Sequence, residues 1–192
     1  MLRALAIKEL RESAGLAALA VLAMASVLAM EMQLPMVPWS NPAYRYTIPF
    51  VGDGFYSSFA MVAAGLAIIL GLKQSAWESI LGGTYAFLLH RPVPRNRIFD
   101  VKMSVGIALL LVLTGLPVLI YGVWAAAPGN TPTSFDWSMT RPSWSLWITM
   151  PALYLAAFLC GIRPGRWFGT RLVPLAGGGV AIVAIVWILG MR

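Results

Sequence analysis

The chain has 192 residues, of which 59% are apolar or aromatic and only 11% are charged, against roughly a quarter charged in an ordinary soluble domain. So few charges cannot cover the surface of a water-soluble globule of this length, so the surplus apolar surface must face lipid or other subunits. Fourteen Lys and Arg against seven Asp and Glu leave a net charge of +7. In a soluble protein that excess would suggest nucleic acid, but here the charges punctuate long apolar runs and no nucleic-acid partner is expected.

Residues 2–12, Leu-Arg-Ala-Leu-Ala-Ile-Lys-Glu-Leu-Arg-Glu, are good helix formers and allow Lys8 and Glu12 to pair one turn apart. A short interfacial helix carrying Lys8, Glu9 and Arg11 is expected there, leading into the first span; a plain basic anchor for that span fits the same residues. Ser13 to Met30 follows, 18 residues without a charge. Its alternative reading, a signal peptide cleaved near Ala23-Met24-Ala25, is disfavoured by Glu9 and Glu12 in the basic region and by the length of the apolar run.

The loop from 31 to 53 holds four prolines with Trp39, Tyr44, Tyr46 and Phe50; the prolines argue against regular structure, and the aromatics suit a membrane interface more than substrate recognition. Gly54 to Leu72 is the second uncharged run, and Met103 to Phe135 the third. The third reads as a span over 102–124, with Pro117 inside it, followed by a loop rich in Pro, Gly and Asn. Pro142 to Ile162 and Leu172 to Met191 complete the set. About 20 apolar residues cross the hydrocarbon core as a helix, so the expected fold is all-α: a polytopic integral membrane protein, a single transmembrane domain with about five transmembrane helices over 13–30, 54–72, 102–124, 142–162 and 172–191. Continuous apolar runs, rather than alternating ones, disfavour membrane strands.

Eleven of the fourteen basic residues precede the first span, lie between the second and third, or lie between the fourth and fifth. By the positive-inside rule these segments face the cytoplasm, which puts the N-terminus inside and the C-terminus outside a plasma membrane of the bacterial inner-membrane type. Small residues along 14–26 and the Gly177-Gly178-Gly179 run would let helices approach closely, within one subunit or between two.

The segment 73–102 is the most informative. A short helix is expected to about Leu81, broken by Gly82-Gly83, then a second carrying Tyr85, Phe87, Leu88 and Leu89. Pro92 and Pro94 force an extended turn, and helix resumes at about Arg95. Gly83-Thr84, Leu88-Leu89, Pro92, Arg95, Ile98 and Lys102, at their observed spacings, resemble the cytoplasmic coupling segment of type-2 ATP-binding cassette (ABC) exporter permeases. Glu78 before the Gly-Thr pair and Lys8-Glu9 before the first span resemble the same family. The resemblance covers about a quarter of the chain.

What it implies is a membrane subunit that pairs with a second permease copy or paralogue, contacts membrane lipids, and docks a cytoplasmic ATPase subunit that binds ATP and Mg. Glu78, Gly83, Thr84, Leu88 and Leu89 would belong to the coupling helix, and Pro92, Arg95, Ile98 and Lys102 to the return towards the membrane. Permeases of that family usually have six spans with both termini inside, so five imply a transport pathway that is either incomplete or completed by another subunit. A non-transporting scaffold or anchor subunit of a larger membrane complex is the alternative.

No enzymatic activity is expected of the chain itself. It has no G-x-x-x-x-G-K-[ST] phosphate loop, a single histidine, His90, and a single cysteine, Cys160, which leaves no intramolecular disulfide and no Cys-rich metal site. Cys160 reads as a small packing residue. Because no apolar run contains a charge, a proton or ion relay through the spans is disfavoured.

Overall fold

The computed structural model describes residues 2–32, 48–51, 54–77, 95–131, 133–163 and 170–190. Among them there is no strand. Five long helices follow one another: α1 (Leu2–Glu31), α2 (Phe55–Leu72), α3 (Arg95–Ala126), α4 (Arg141–Ile162) and α5 (Val173–Gly190). A π-helical turn, Lys73–Trp77, extends α2; 3-10 turns at Trp137–Thr140 and Thr170–Leu172 precede α4 and α5.

Among the described residues four stretches are long and apolar enough to cross a membrane: Arg3–Glu31, Phe55–Ala76, Arg97–Ala126 and Trp137–Ile162. The protein is therefore a helical, membrane-embedded one. The fifth stretch, Thr170–Ile185, is apolar but shorter.

The expected interfacial helix is not a separate element, since α1 runs unbroken from Leu2 to Glu31. No proline and no interior cap separates 2–12 from the apolar run, so nothing stops the helix from propagating. Its buried positions, Glu9, Ser13, Ala20, Met24 and Val27, recur at intervals of three, four and seven and form one stripe. That stripe packs on α3 and α2. Helix α3 starts at Arg95, where helix is expected to resume after Pro92 and Pro94 in the sequence. It buries a row at four-residue spacing, Ile98, Lys102, Gly106, Leu110, Thr114 and Val118, the row that side chains stacked one turn apart produce.

Helix α4 is the axis of the bundle. It contacts α2 most extensively and also α5, α3 and the π turn, and it is buried on most of its circumference, from Ser143 to Gly161. Close approach to α2 depends on Gly71, where a Cβ would stand 2.5 Å from the Tyr154 carbonyl oxygen and 2.9 Å from the Ala157 Cβ. Helix α5 is peripheral: Val173, Val180, Val183, Trp187 and Ile188 are exposed, as lipid-facing side chains would be.

Candidate functional site: a buried polar cluster at one end of the bundle

The coupling-helix residues Glu78, Gly83, Thr84, Leu88, Leu89 and Pro92 lie outside the described residues, as does His90. The segments that flank them in sequence, the π turn and the start of α3, are described. They converge on one polar cluster.

Lys102 is the first member. Sequence spacing puts it at the edge of the third span, on the return from the coupling segment. In the structure it sits about two turns inside α3, 1% exposed, with its ammonium 3.1 Å from the Glu9 carboxylate. Glu9, one of the three residues expected on an interfacial helix, is turned inward. Lys8 and Glu12 make the surface pair that their spacing predicts, at 3.4 Å, and Arg11 is exposed. Ser13, one turn beyond Glu9, is buried beside it in sequence. Ile98 is buried one turn before Lys102.

The second half of the cluster ties the π turn to α1 and α4. The Lys73 ammonium donates to the backbone carbonyl of Glu12 on α1. The Tyr154 hydroxyl, from the buried face of α4, donates to Gln74 Oε1. Gln74 is 5% exposed, and its Nε2 finds no hydrogen-bond partner among the described residues. Ser75 donates its hydroxyl back to the Gly71 carbonyl at 2.7 Å and lies hard against Gly161, where an added Cβ would come 2.6 Å from the Ser75 Cβ and 2.8 Å from the Ala76 nitrogen. Arg171, ahead of α5, donates Nε to the Cys160 carbonyl and Nη2 to the Gly161 carbonyl, both at 2.8 Å. That caps the C-terminal carbonyls of α4 with a cation, as the helix dipole favours. Cys160 itself is a buried free thiol.

One glycine joins the two halves. Gly106 stands one turn beyond Lys102 on α3, and a Cβ there would overlap the Tyr154 hydroxyl and lie 2.5 Å from Gln74 Oε1. Tyr154 thus reaches the π turn only by passing against the bare backbone of α3. A buried ion pair, a buried side-chain hydrogen bond and a π turn meet at this end of the bundle. Their separations in sequence, from Glu9 to Lys102 and from Gln74 to Tyr154, are too long for any local pattern to announce them. The available signals were a tyrosine inside an uncharged run and a glycine one turn from a lysine.

The opposite end has no ion pair of this kind among the described residues. Phe50, Phe55 and Tyr121 are buried and stack on one another, with centroids 5.1 Å apart for Phe50–Phe55, 4.7 Å for Phe50–Tyr121 and 4.6 Å for Phe55–Tyr121. Phe59 continues the stack from Phe55 at 5.6 Å, and Phe135 closes on Phe50 at 6.2 Å. Phe50 holds a positive φ of 64°, a costly conformation for a bulky residue that persists because its ring is clamped on three sides. These aromatics form an interior plug. Trp147 is likewise docked, its indole N–H donating to the Leu111 carbonyl at 3.0 Å over Gly115. The expectation that the loop aromatics face a membrane interface therefore does not describe Phe50, which is buried. Beside the plug, a hollow of about 480 Å³ lies between the end of α3 and the 3-10 turn, lined by residues that include Thr131, Phe135 and Asp136. Asp136 caps that turn, accepting from the Ser138 backbone N–H at 2.7 Å. The hydrogen bonds from Ser138 hold its carboxyl below the ordinary 3.8.

No protein-family model, no curated protein and no solved structure matches this chain.

Proposed function

We propose that the protein is the membrane-spanning subunit of an ABC-type exporter, in which a separate ATPase hydrolyses ATP with Mg and this chain converts the resulting motion into displacement of its helices. The reading rests on the spacing of Gly83-Thr84, Leu88-Leu89, Pro92, Arg95, Ile98 and Lys102. What supports it most in the geometry is that both described flanks of residues 78–94 are anchored: the π turn is held by α1 and α4, and α3 by α1. A force applied between residues 77 and 95 would reach three helices without a slack joint.

In this reading the end with the polar cluster faces the cytoplasm of a plasma membrane, α5 is the fifth span, the C-terminus is outside, and a second copy or a paralogue completes the pathway. The residues of the coupling helix, Glu78 to Leu89, meet the ATPase.

Purification of the full chain from its own membranes, without crosslinker, should bring an ATPase subunit with it. Glu78→Ala and Arg95→Ala should leave insertion and assembly intact while cutting cargo-stimulated ATPase activity at least about tenfold, the effect of losing roughly 1.4 kcal/mol of coupling. A complex without an ATPase, with other membrane subunits packed around the spans, would instead make the chain a scaffold or anchor.

A further inference from the structure

The polar cluster carries an inference that does not depend on the exporter reading. Three features that interior helices usually avoid occur together where α1, the π turn, α3 and α4 meet. The first is a fully desolvated ion pair, Glu9–Lys102. Apolar residues of similar volume usually stabilise a protein at least as well as a buried ion pair, and the best-attested use of buried polar groups is to fix register or hold a switch. The second is the Gln74 side chain, buried with one end on Tyr154 and its Nε2 without a hydrogen-bond partner among the described residues. The third is the π turn itself, one extra residue in a helical turn, a form found mostly as single turns and frequently at functional sites.

A π turn has a ready second state. Moving its surplus residue along the helix returns Lys73–Trp77 to α-helical spacing and rotates its side chains by about one residue, roughly 100°. That rotation would take Gln74 off Tyr154. Because the Tyr154 hydroxyl sits against Gly106, one turn from Lys102, its departure also alters what packs on α3 beside the ion pair.

We propose that Glu9–Lys102 and Tyr154–Gln74 form one two-state latch: the state seen here clamps the π turn and the start of α3 to α1 and α4 together, and a π-to-α change at 73–77 releases both clamps together. Tyr154 is the positioning residue of the device, since its hydroxyl meets both Gln74 of the π turn and the backbone of α3 at Gly106.

The test is amide hydrogen exchange on the full-length protein in lipid nanodiscs, read on peptides covering 70–77 and 99–110. Tyr154→Phe keeps the ring and removes the hydroxyl. The double replacement Glu9→Ala/Lys102→Ala removes both charges, strands neither, and leaves no side chain of similar volume to bridge α1 and α3 in their place. Thr114→Val, a buried change in α3 that leaves the cluster intact, is the control. A single latch requires each of the first two to speed exchange about tenfold in both peptides, the factor that follows from losing one buried hydrogen bond. The result then includes acceleration at 73–77 in the double variant, although neither replaced side chain lies there. Acceleration confined to the root that lost its own contact, or equal acceleration with Thr114→Val, would overturn the proposal. If Tyr154→Phe fails to fold, Gln74→Met removes the same hydrogen bond from its other partner and is read by the same criterion. The measurement needs neither ATPase nor cargo, so its failure is distinct from failure of the exporter reading.

Discussion

The two ends of the bundle are built on different physics. At the aromatic end, Phe50, Phe55, Phe59 and Tyr121 fill space through many weak contacts, each worth a fraction of a kcal/mol. Such a plug yields gradually when one member shrinks. At the polar end a few specific contacts hold the same helices: one ion pair, one hydroxyl on one amide, one lysine on one carbonyl. Those contacts are made or lost as units, and each leaves a stranded polar atom when its partner goes. In lipid the contrast matters more than in water, because helices already surrounded by hydrocarbon gain little from apolar burial alone. A membrane protein that must stay assembled at one end and move at the other would place its steric plug at the first and its discrete contacts at the second.

The sharpest way to break this contrast is to remove one charge. Lys102→Met leaves the Glu9 carboxylate buried opposite a methyl group and should destabilise the protein by about 4 kcal/mol. Adding Glu9→Leu to it should recover most of that loss. At the aromatic end Phe55→Ala should cost about 3 kcal/mol through the cavity it opens, and no second replacement of a neighbour by a smaller residue should recover it. Thermal unfolding in nanodiscs measures all three. If Glu9→Leu does not rescue Lys102→Met, the two residues are not acting as a pair.

Much of the helix layout could be read from the charges. The uncharged run Pro142–Ile162 became α4, Arg141–Ile162, and Gly54–Leu72 became α2, Phe55–Leu72, because a charge at the end of an apolar run marks where burial in lipid stops being favourable. The proline pair before Arg95 placed the start of α3 for an equally local reason. What remained hidden was the inward face of those same charges. Glu9 was expected on an interfacial helix and Lys102 at the start of the third span; each alone is too costly to bury, and their partnership is a property of the fold. Phe50 was misjudged in the same way, as an interface aromatic, since nothing local shows that α2 and α3 will offer it a socket. The family resemblance rests largely on residues 78–94, outside the described part of the chain, so the structure adds to that reading only through the roots at Lys73–Trp77 and Arg95–Lys102.

A smaller perturbation sharpens the comparison by touching the polar end without changing its charge. Gly106→Ala adds one methyl where Tyr154 and Gln74 already meet α3, so the helices must separate; overpacking of this kind costs about 1–3 kcal/mol. Gly65→Ala in α2 adds the same methyl where nothing lies within 4 Å and should be neutral or stabilising by about 0.5 kcal/mol through helix propensity. Equal unfolding midpoints for the two variants would mean that the approach of Tyr154 to α3 is not the constraint described above.

The smallest effect is expected beside the aromatic plug, at the cap before α4. Asp136 accepts hydrogen bonds from Ser138, which favour its charged form and hold its pKa below 3.8. A carboxyl depressed in the folded state contributes stability that is fully present above its unfolded pKa and is lost as pH falls through the lower folded value. Between pH 7 and pH 5 the cap should therefore be constant, and only below the ordinary carboxylate range should it weaken. The chemical shift of the Ser138 amide proton reports the bond directly: it should stay flat to about pH 4 and then move as the carboxyl takes up a proton. Asp136→Asn keeps an oxygen acceptor at the same place and should abolish that acid-side movement while preserving the 3-10 turn. A Ser138 shift that moved near pH 6 would show that a different group governs this turn, and the cap would then lose its role in setting where α4 begins.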